Sequence, residues 1–293
     1  MKIEKIFVAG AGLMGSGIAQ VCAQAGYSVV MYDVSDAALA KGLESVNWSV
    51  GKFVEKGKVE GSVDEIMRRL RSSTAISDAK SADFVFEAVF ENMEIKRDIF
   101  SKLDDICPAN TILATNSSAI PTTEIASATK RMDKVVGAHF FSPVPMMKAV
   151  EVIKGMSTSE ETMEITKSLC RSIGKEPITV NKDVAGFLLN RINIPSNLEA
   201  IRMVEQGVGT IDEIDKGMRL AFGRAMGPFE THDLAGLDVA LNAATNLYND
   251  TKDIKFYPPM LLKRKVKAGH LGRKTGIGWY KYDDKGNRLG PAV

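Results

Sequence analysis

Two residues with acid–base chemistry stand out by type and spacing. His139 lies near the end of an apolar run, GAHFFSPVP, and Glu151 follows twelve residues later in KAVEVI. A carboxylate among apolar neighbours needs a partner, because an unpaired buried charge is costly. Two strands joined by a Pro-containing turn bring a histidine within reach. Such a pair holds the imidazole in one tautomer and raises its basicity. It suits removal of a proton from an alcohol whose carbon gives up a hydride. The same spacing also fits a core histidine bonded to backbone. His232 and His270 have no comparable surroundings and read as packing or surface residues.

Beside this pair stands a glycine motif, Gly10-Ala11-Gly12-Leu13-Met14-Gly15. A β-prone run, KIEKIFV, precedes it. A small-residue helix, SGIAQVCAQAG, follows and stops at Gly26. The next run, YSVVMYD, ends in Asp33, 18 residues past Gly15. In that setting Gly10 permits the tight turn, Gly12 admits a pyrophosphate and Gly15 lets the helix pack on the strand. The helix N-terminus, at Leu13 and Met14, offers N–H groups to the phosphates. Asp33 can accept a ribose 2′-hydroxyl and repels a 2′-phosphate, which favours NAD over NADP. A glycine-rich turn in another α/β protein is the competing reading, and FAD is a further ligand of this motif in larger chains.

The elements that must position these groups follow from pattern. Ser35 can cap a helix whose Leu39, Leu43, Val46, Val50 and Phe53 form one apolar stripe. Lys52 and Lys56 lie on its flank, one turn apart, and by themselves read as a solvated face. Strand-like runs at 82–89, 111–118 and 134–141, and in KAVEVI and EPITV, alternate with helical segments. The expectation is an α/β fold, a Rossmann-type, mostly parallel sheet with helices on both faces. Beyond residue 182 strand-like runs stop and helical spacing takes over. Two domains are expected, 1–182, which carries the dinucleotide turn, and 183–293, all-helical.

Composition narrows the classes. The 293 residues are 45% hydrophobic and 25% charged, with a net charge of +2. This is globular composition without the basic excess of a nucleic-acid binder. No apolar run reaches the roughly 18 residues a membrane span needs, and the N-terminus carries acid and glycine where a signal peptide would be apolar. The three cysteines, Cys22, Cys107 and Cys170, are far apart with no CxxC, so neither a disulfide framework nor a metal site is expected. A reducing cytoplasm fits.

Taken in order, GAGLMGSGIAQ, EAVFENMEIK, TNSSAIP, HFFSPVPMMKAVEVI, GFLLNR, MGPFE…DLAGLD and GRKTGIGWY closely resemble the short-chain L-3-hydroxyacyl-CoA dehydrogenase family, in particular its bacterial 3-hydroxybutyryl-CoA dehydrogenase branch. The resemblance covers nearly the whole chain. It implies a Rossmann-type domain, a helical domain that binds substrate and dimerises, and reversible NAD-linked oxidation of an (S)-3-hydroxyacyl-CoA to the 3-ketoacyl-CoA. It implies that His139 is the catalytic base, Glu151 its acidic partner, Ser118 a hydrogen-bond partner of the reacting oxygen and Asn190 a substrate-orienting amide. It further implies nucleotide-cleft roles for Glu91, Lys96, Asn116 and Lys274, and CoA-phosphate contacts for Lys52 and Lys56.

One position departs from the family pattern. HFFNP is usual there, and this chain has HFFSP. Ser142, near the nicotinamide end by resemblance, lacks the donor and acceptor of an amide. Rival readings keep the fold and change the substrate, to 3-hydroxyadipyl-CoA or a free hydroxy acid, or keep dinucleotide binding without catalysis.

Overall fold

The computed structural model describes residues 2–118 and 120–292. A first compact unit extends to Phe187 and a second begins at Leu188.

The first unit is built on eight strands: β1 (Lys5–Ala9), β2 (Ser28–Tyr32), β3 (Leu70–Ser73), β4 (Phe84–Glu87), β5 (Ile112–Thr115), β6 (Val135–Phe140), β7 (Ala149–Ile153) and β8 (Glu176–Val180). Its helices are α1 (Leu13–Gln24), α2 (Asp36–Glu55), α3 (Val63–Met67), α4 (Met93–Ile106), α5 (Thr122–Ala126) and α6 (Glu160–Ser172). The sheet order is β3-β2-β1-β4-β5-β6-β7-β8. Strands β4, β5 and β6 are buried at every residue, as expected of parallel strands covered on both faces. Side-chain caps start the helices: Ser35 accepts from Ala38 N at 3.2 Å, Asn92 from Ile95 N at 3.1 Å and Ser159 from Thr162 N at 3.1 Å.

Only β7 breaks the parallel pattern at its junction with β6. Residues 141–148 join the two strands and are too few for a crossover, so the chain must return antiparallel. The resulting register sets His139 directly opposite Glu151. After α6 the chain re-enters the sheet as β8, parallel to β7.

The first unit runs past residue 182. Thr123 N donates to Asp183 Oδ2 at 2.5 Å, and Phe187 is buried with Ile153 and Val180. Strand β3 and helix α3 had no counterpart in the pattern reading. Leu70–Ser73 is a four-residue edge strand with one buried position, which leaves no alternation to detect.

The second unit holds helices α7 (Leu189–Glu205), α8 (Ile211–Phe222), α9 (Pro228–Ala235), α10 (Leu237–Thr251) and α11 (Met260–Lys267). It is helical, with one addition: β9 (Tyr280–Tyr282) and β10 (Arg288–Pro291) form an antiparallel pair. Buried Asp233 explains the addition. It accepts from the backbone of Trp279 and Tyr280, both at 2.8 Å, and from the Tyr282 hydroxyl at 2.9 Å.

Candidate active site

The glycine motif sits where the sheet changes winding direction. Strands β1 and β4 are neighbours there, and ligands of open α/β sheets bind outside the C-terminal strand ends at such a point. Gly10 adopts φ 106°, and a Cβ on it would lie 2.5 Å from Ala88 O. A Cβ at Gly15 would fall 1.9 Å from Gly10 O, so α1 packs on the turn only through glycine. At Gly12 the same atom meets nothing within 4 Å, and no side chain caps the helix there. That open, uncapped N-terminus fits a diphosphate.

Asp33 faces the same loop. Ala11 N donates to Oδ2 at 2.9 Å and Ser35 N to Oδ1 at 3.0 Å. A carboxylate accepts about four bonds, so both oxygens keep room for a ribose hydroxyl. Gly10, Gly12, Leu13, Met14 and Asp33 line a cleft of about 540 Å³, to which Ile95 and Ile99 of α4 also contribute. Its size and mixed lining fit an adenosine, so the residues present suit NAD.

The acid–base pair lies on the neighbouring strands. Glu151 Oε2 is 2.8 Å from His139 Nδ1, with the carboxylate fully buried and the imidazole 6% exposed. A carboxylate only accepts, so Nδ1 carries the proton and Nε2 is left to act as base. The rings of Phe141, at 4.7 Å, and Phe187, at 5.7 Å, flank the imidazole. Phe187 is held at φ 47°, unusual for a bulky residue and a mark of functional sites.

Asn116 bridges the end of β5 to this strand: its Oδ1 accepts from Phe140 N at 2.9 Å. Ser118 follows and is exposed, and its N–H donates to Glu91 Oε1 at 3.0 Å. Glu91 also accepts from Ser117 Oγ at 2.6 Å and lies 3.2 Å from Lys96 Nζ. Lys96 is only 1% exposed, and its ammonium is committed to Glu87 at 2.6 Å. The expected cleft-lining lysine is thus a buried tie, joined to the Ser117–Ser118 turn through Glu91.

Glu87 was not singled out in the sequence, although it is the hub of this network. Thr115 Oγ1 and Val89 N donate to it at 2.7 and 2.8 Å. An acid inside the apolar strand ADFVFEAV was the available signal. Lys175 has a structural role that its local sequence does not signal. Its buried ammonium donates to the carbonyls of Val144 and Met147, at 2.5 and 2.8 Å, and so tethers the loop after His139. Burial pushes its pKa down.

Ser142 is exposed at the start of that loop. Lys52 and Lys56 line a different cleft of about 650 Å³, between α1, α2 and Val144. Lys52 is paired with Glu55 at 2.8 Å. Asn190 stands in the first turn of α7, and Lys274 is paired with Asp238 at 2.6 Å, both within the second unit. All three cysteines are buried and unpaired, and burial pushes the Cys107 thiol up to about 11, so none is poised as a nucleophile. Among the described residues no cluster of His, Cys, Asp or Glu is arranged to hold a metal.

Comparison with known proteins accords with this geometry. Residues 5–184 match the family model for the 3-hydroxyacyl-CoA dehydrogenase NAD binding domain, and residues 186–282 match that of the C-terminal domain. A probable 3-hydroxybutyryl-CoA dehydrogenase of Bacillus subtilis is 45% identical over 97% of this chain and 99% of its own. A 3-hydroxybutyryl-CoA dehydrogenase of Clostridioides difficile is 44% identical over 95% and 99%. The crystal structure of an (S)-3-hydroxybutyryl-CoA dehydrogenase from Ralstonia eutropha superposes with a TM-score of 0.91, at 41% identity, covering 97% of this chain and all of that one. With a glycine loop fitted to a dinucleotide and a His–Glu pair beside it, the chain belongs to the 3-hydroxyacyl-CoA dehydrogenase family of NAD-dependent enzymes.

Proposed function

We propose that the protein interconverts (S)-3-hydroxybutyryl-CoA and acetoacetyl-CoA, with His139 as the acid–base group. The buried contact between His139 and Glu151 carries this reading. In the oxidation, Nε2 of His139 takes the proton of the 3-hydroxyl. The C3–H bond breaks with its electron pair, and the C–O bond becomes a carbonyl. NAD, when bound, supplies the acceptor for that hydride. Glu151 stabilises the imidazolium that forms, and the flanking phenyl rings keep water from it. In the reduction, the imidazolium returns the proton to the ketone oxygen.

In this scheme Ser118 donates to the reacting oxygen and Asn190 orients the substrate near its reacting carbonyl. Gly10, Gly12, Leu13, Met14, Gly15, Asp33, Glu91, Asn116, Ser142 and Lys274 form the cofactor side, and Lys52 and Lys56 meet the CoA phosphates. The matched relatives named for 3-hydroxybutyryl-CoA support the short acyl chain. We place the enzyme in the cytoplasm as a homodimer or higher homo-oligomer. Three buried, unpaired thiols support a reducing compartment, and exposed Leu220, Phe222 and Val208 of the second unit support self-association. Among the described residues no helix is long and apolar enough to cross a membrane.

Steady-state oxidation of NADH by acetoacetyl-CoA tests the reading. Turnover is expected with wild type. His139→Gln should lower kcat by roughly 10²–10⁴ while NADH still binds. Equal kcat in the two proteins removes His139 from the mechanism.

A further inference from the structure

Trp48 presents an unusual surface for a helix face. Its indole is 68% exposed, whereas Trp279, the second tryptophan of the chain, is fully buried. Helix α2 has already spent its apolar stripe on the core, where Leu39, Val46 and Val50 are buried. Trp48 stands off that stripe and lines the 650 Å³ cleft together with Lys52, Lys56 and Lys58. Glu55, paired with Lys52, is the only acid on the cleft wall. Lys56 and Lys58 form no ion pair within 4 Å among the described residues. An aromatic face beside an excess of ammonium groups is the chemistry that recognises a nucleotide: the ring stacks on the base and the lysines meet its phosphates.

The cleft also leads toward the reaction. Its opposite wall is Pro143, Val144, Pro145 and Met146, the loop that directly follows His139–Ser142. Lys175 fixes that loop through two carbonyls. Gly17 lets α1 approach it, since a Cβ there would fall 2.8 Å from Val144 Cβ. A ligand with its base on Trp48 and its arm along this wall therefore runs toward the strand end that carries His139.

We propose that Trp48 is the stacking platform for the adenine of the acyl-CoA substrate, and so a determinant of affinity for the thioester. The inference rests on the acyl-CoA reading above. It concerns a cleft distinct from the cofactor cleft lined by Gly10, Gly12 and Asp33, with only Leu13 common to the two linings.

Intrinsic fluorescence provides a direct test, because Trp279 is a buried internal reference. Adenosine 3′,5′-bisphosphate, the nucleotide end of CoA, should quench the emission of wild type and leave that of Trp48→Ala unchanged. With acetoacetyl-CoA, Trp48→Ala should raise KM roughly five- to fifty-fold with kcat near wild type, and Trp48→Phe should recover most of the loss. Acetoacetyl-pantetheine, which lacks the nucleotide, should not distinguish the variants. Quenching without turnover of any acyl-CoA would uphold the platform and overturn the dehydrogenase reading. Turnover with equal KM and no quenching overturns the platform alone. A lower oligomeric mass for Trp48→Ala at unchanged KM would assign the indole to a contact between copies and likewise overturn it.

Discussion

Glu151 faces His139 across the antiparallel β6–β7 ladder, with Oε2 2.8 Å from Nδ1 and no solvent at the carboxylate. The backbone register alone brings the two side chains together, so the tautomer of the imidazole is set before substrate arrives. Buried in this way, the carboxylate can stabilise a transient imidazolium without being screened by water.

Glu151→Gln keeps the shape and removes the charge. We expect kcat to fall by roughly 10²–10⁴, since a neutral amide neither enforces the tautomer nor stabilises the cation. NADH affinity, read by fluorescence titration, should stay within about two-fold. Wild-type kcat in this variant would mean that the carboxylate has only a packing role.

Phe187 offers a test of backbone strain. Replacement by Ala or Gly removes the same ring from beside His139, but only Gly accepts φ 47° without a Cβ penalty. Phe187→Ala should lose about 3–5 kcal/mol in urea unfolding. Phe187→Gly should lose about 1 kcal/mol less than the Ala variant. The reverse order would show that the strain is relieved elsewhere.

Lys96 and Glu87 form a buried pair, 1% and fully unexposed respectively. Lys96→Met leaves the Glu87 carboxylate without its cation and should destabilise by about 3–5 kcal/mol. Adding Glu87→Gln to that variant should restore part of the loss, because the stranded charge is gone. A single variant within about 0.5 kcal/mol of wild type would contradict the geometry.

His232 gives the second unit a pH dependence of known sign. It is buried, its Nδ1 has no hydrogen-bond partner among the described residues, and burial lowers its pKa to about 4 from 6.5. Below pH 6.5 the unfolded chain takes up a proton that the folded chain refuses until about pH 4. Stability is therefore lost as pH falls through that window, by up to about 3 kcal/mol. Buried Asp215 and Asp233 act in the opposite sense, because burial raises their pKa values and the folded state takes their protons first. The difference in unfolding free energy between wild type and His232→Leu isolates the histidine. It should change between pH 6.5 and 4 and be flat from 7 to 8; a flat difference throughout would exclude the mechanism.

The chain's primary sequence determines those features that rest on local pattern. GAGLMG between a β-run and a small-residue helix, with Asp33 at the next strand end, specifies a dinucleotide turn because each glycine answers a steric demand of neighbouring backbone. His139 and Glu151 are legible as partners because a carboxylate in KAVEVI cannot stay alone. Tertiary structure decided what depends on residues distant in the chain. That β7 runs antiparallel and pairs the two in register, that Lys96 is spent on Glu87 rather than turned to the cleft, and that Lys175 reaches back to tether the 142–147 loop all follow from packing across the sheet. Sequence spacing records which groups need partners; only the folded chain, by excluding water from some of them and leaving Trp48 in it, settles which partners they find.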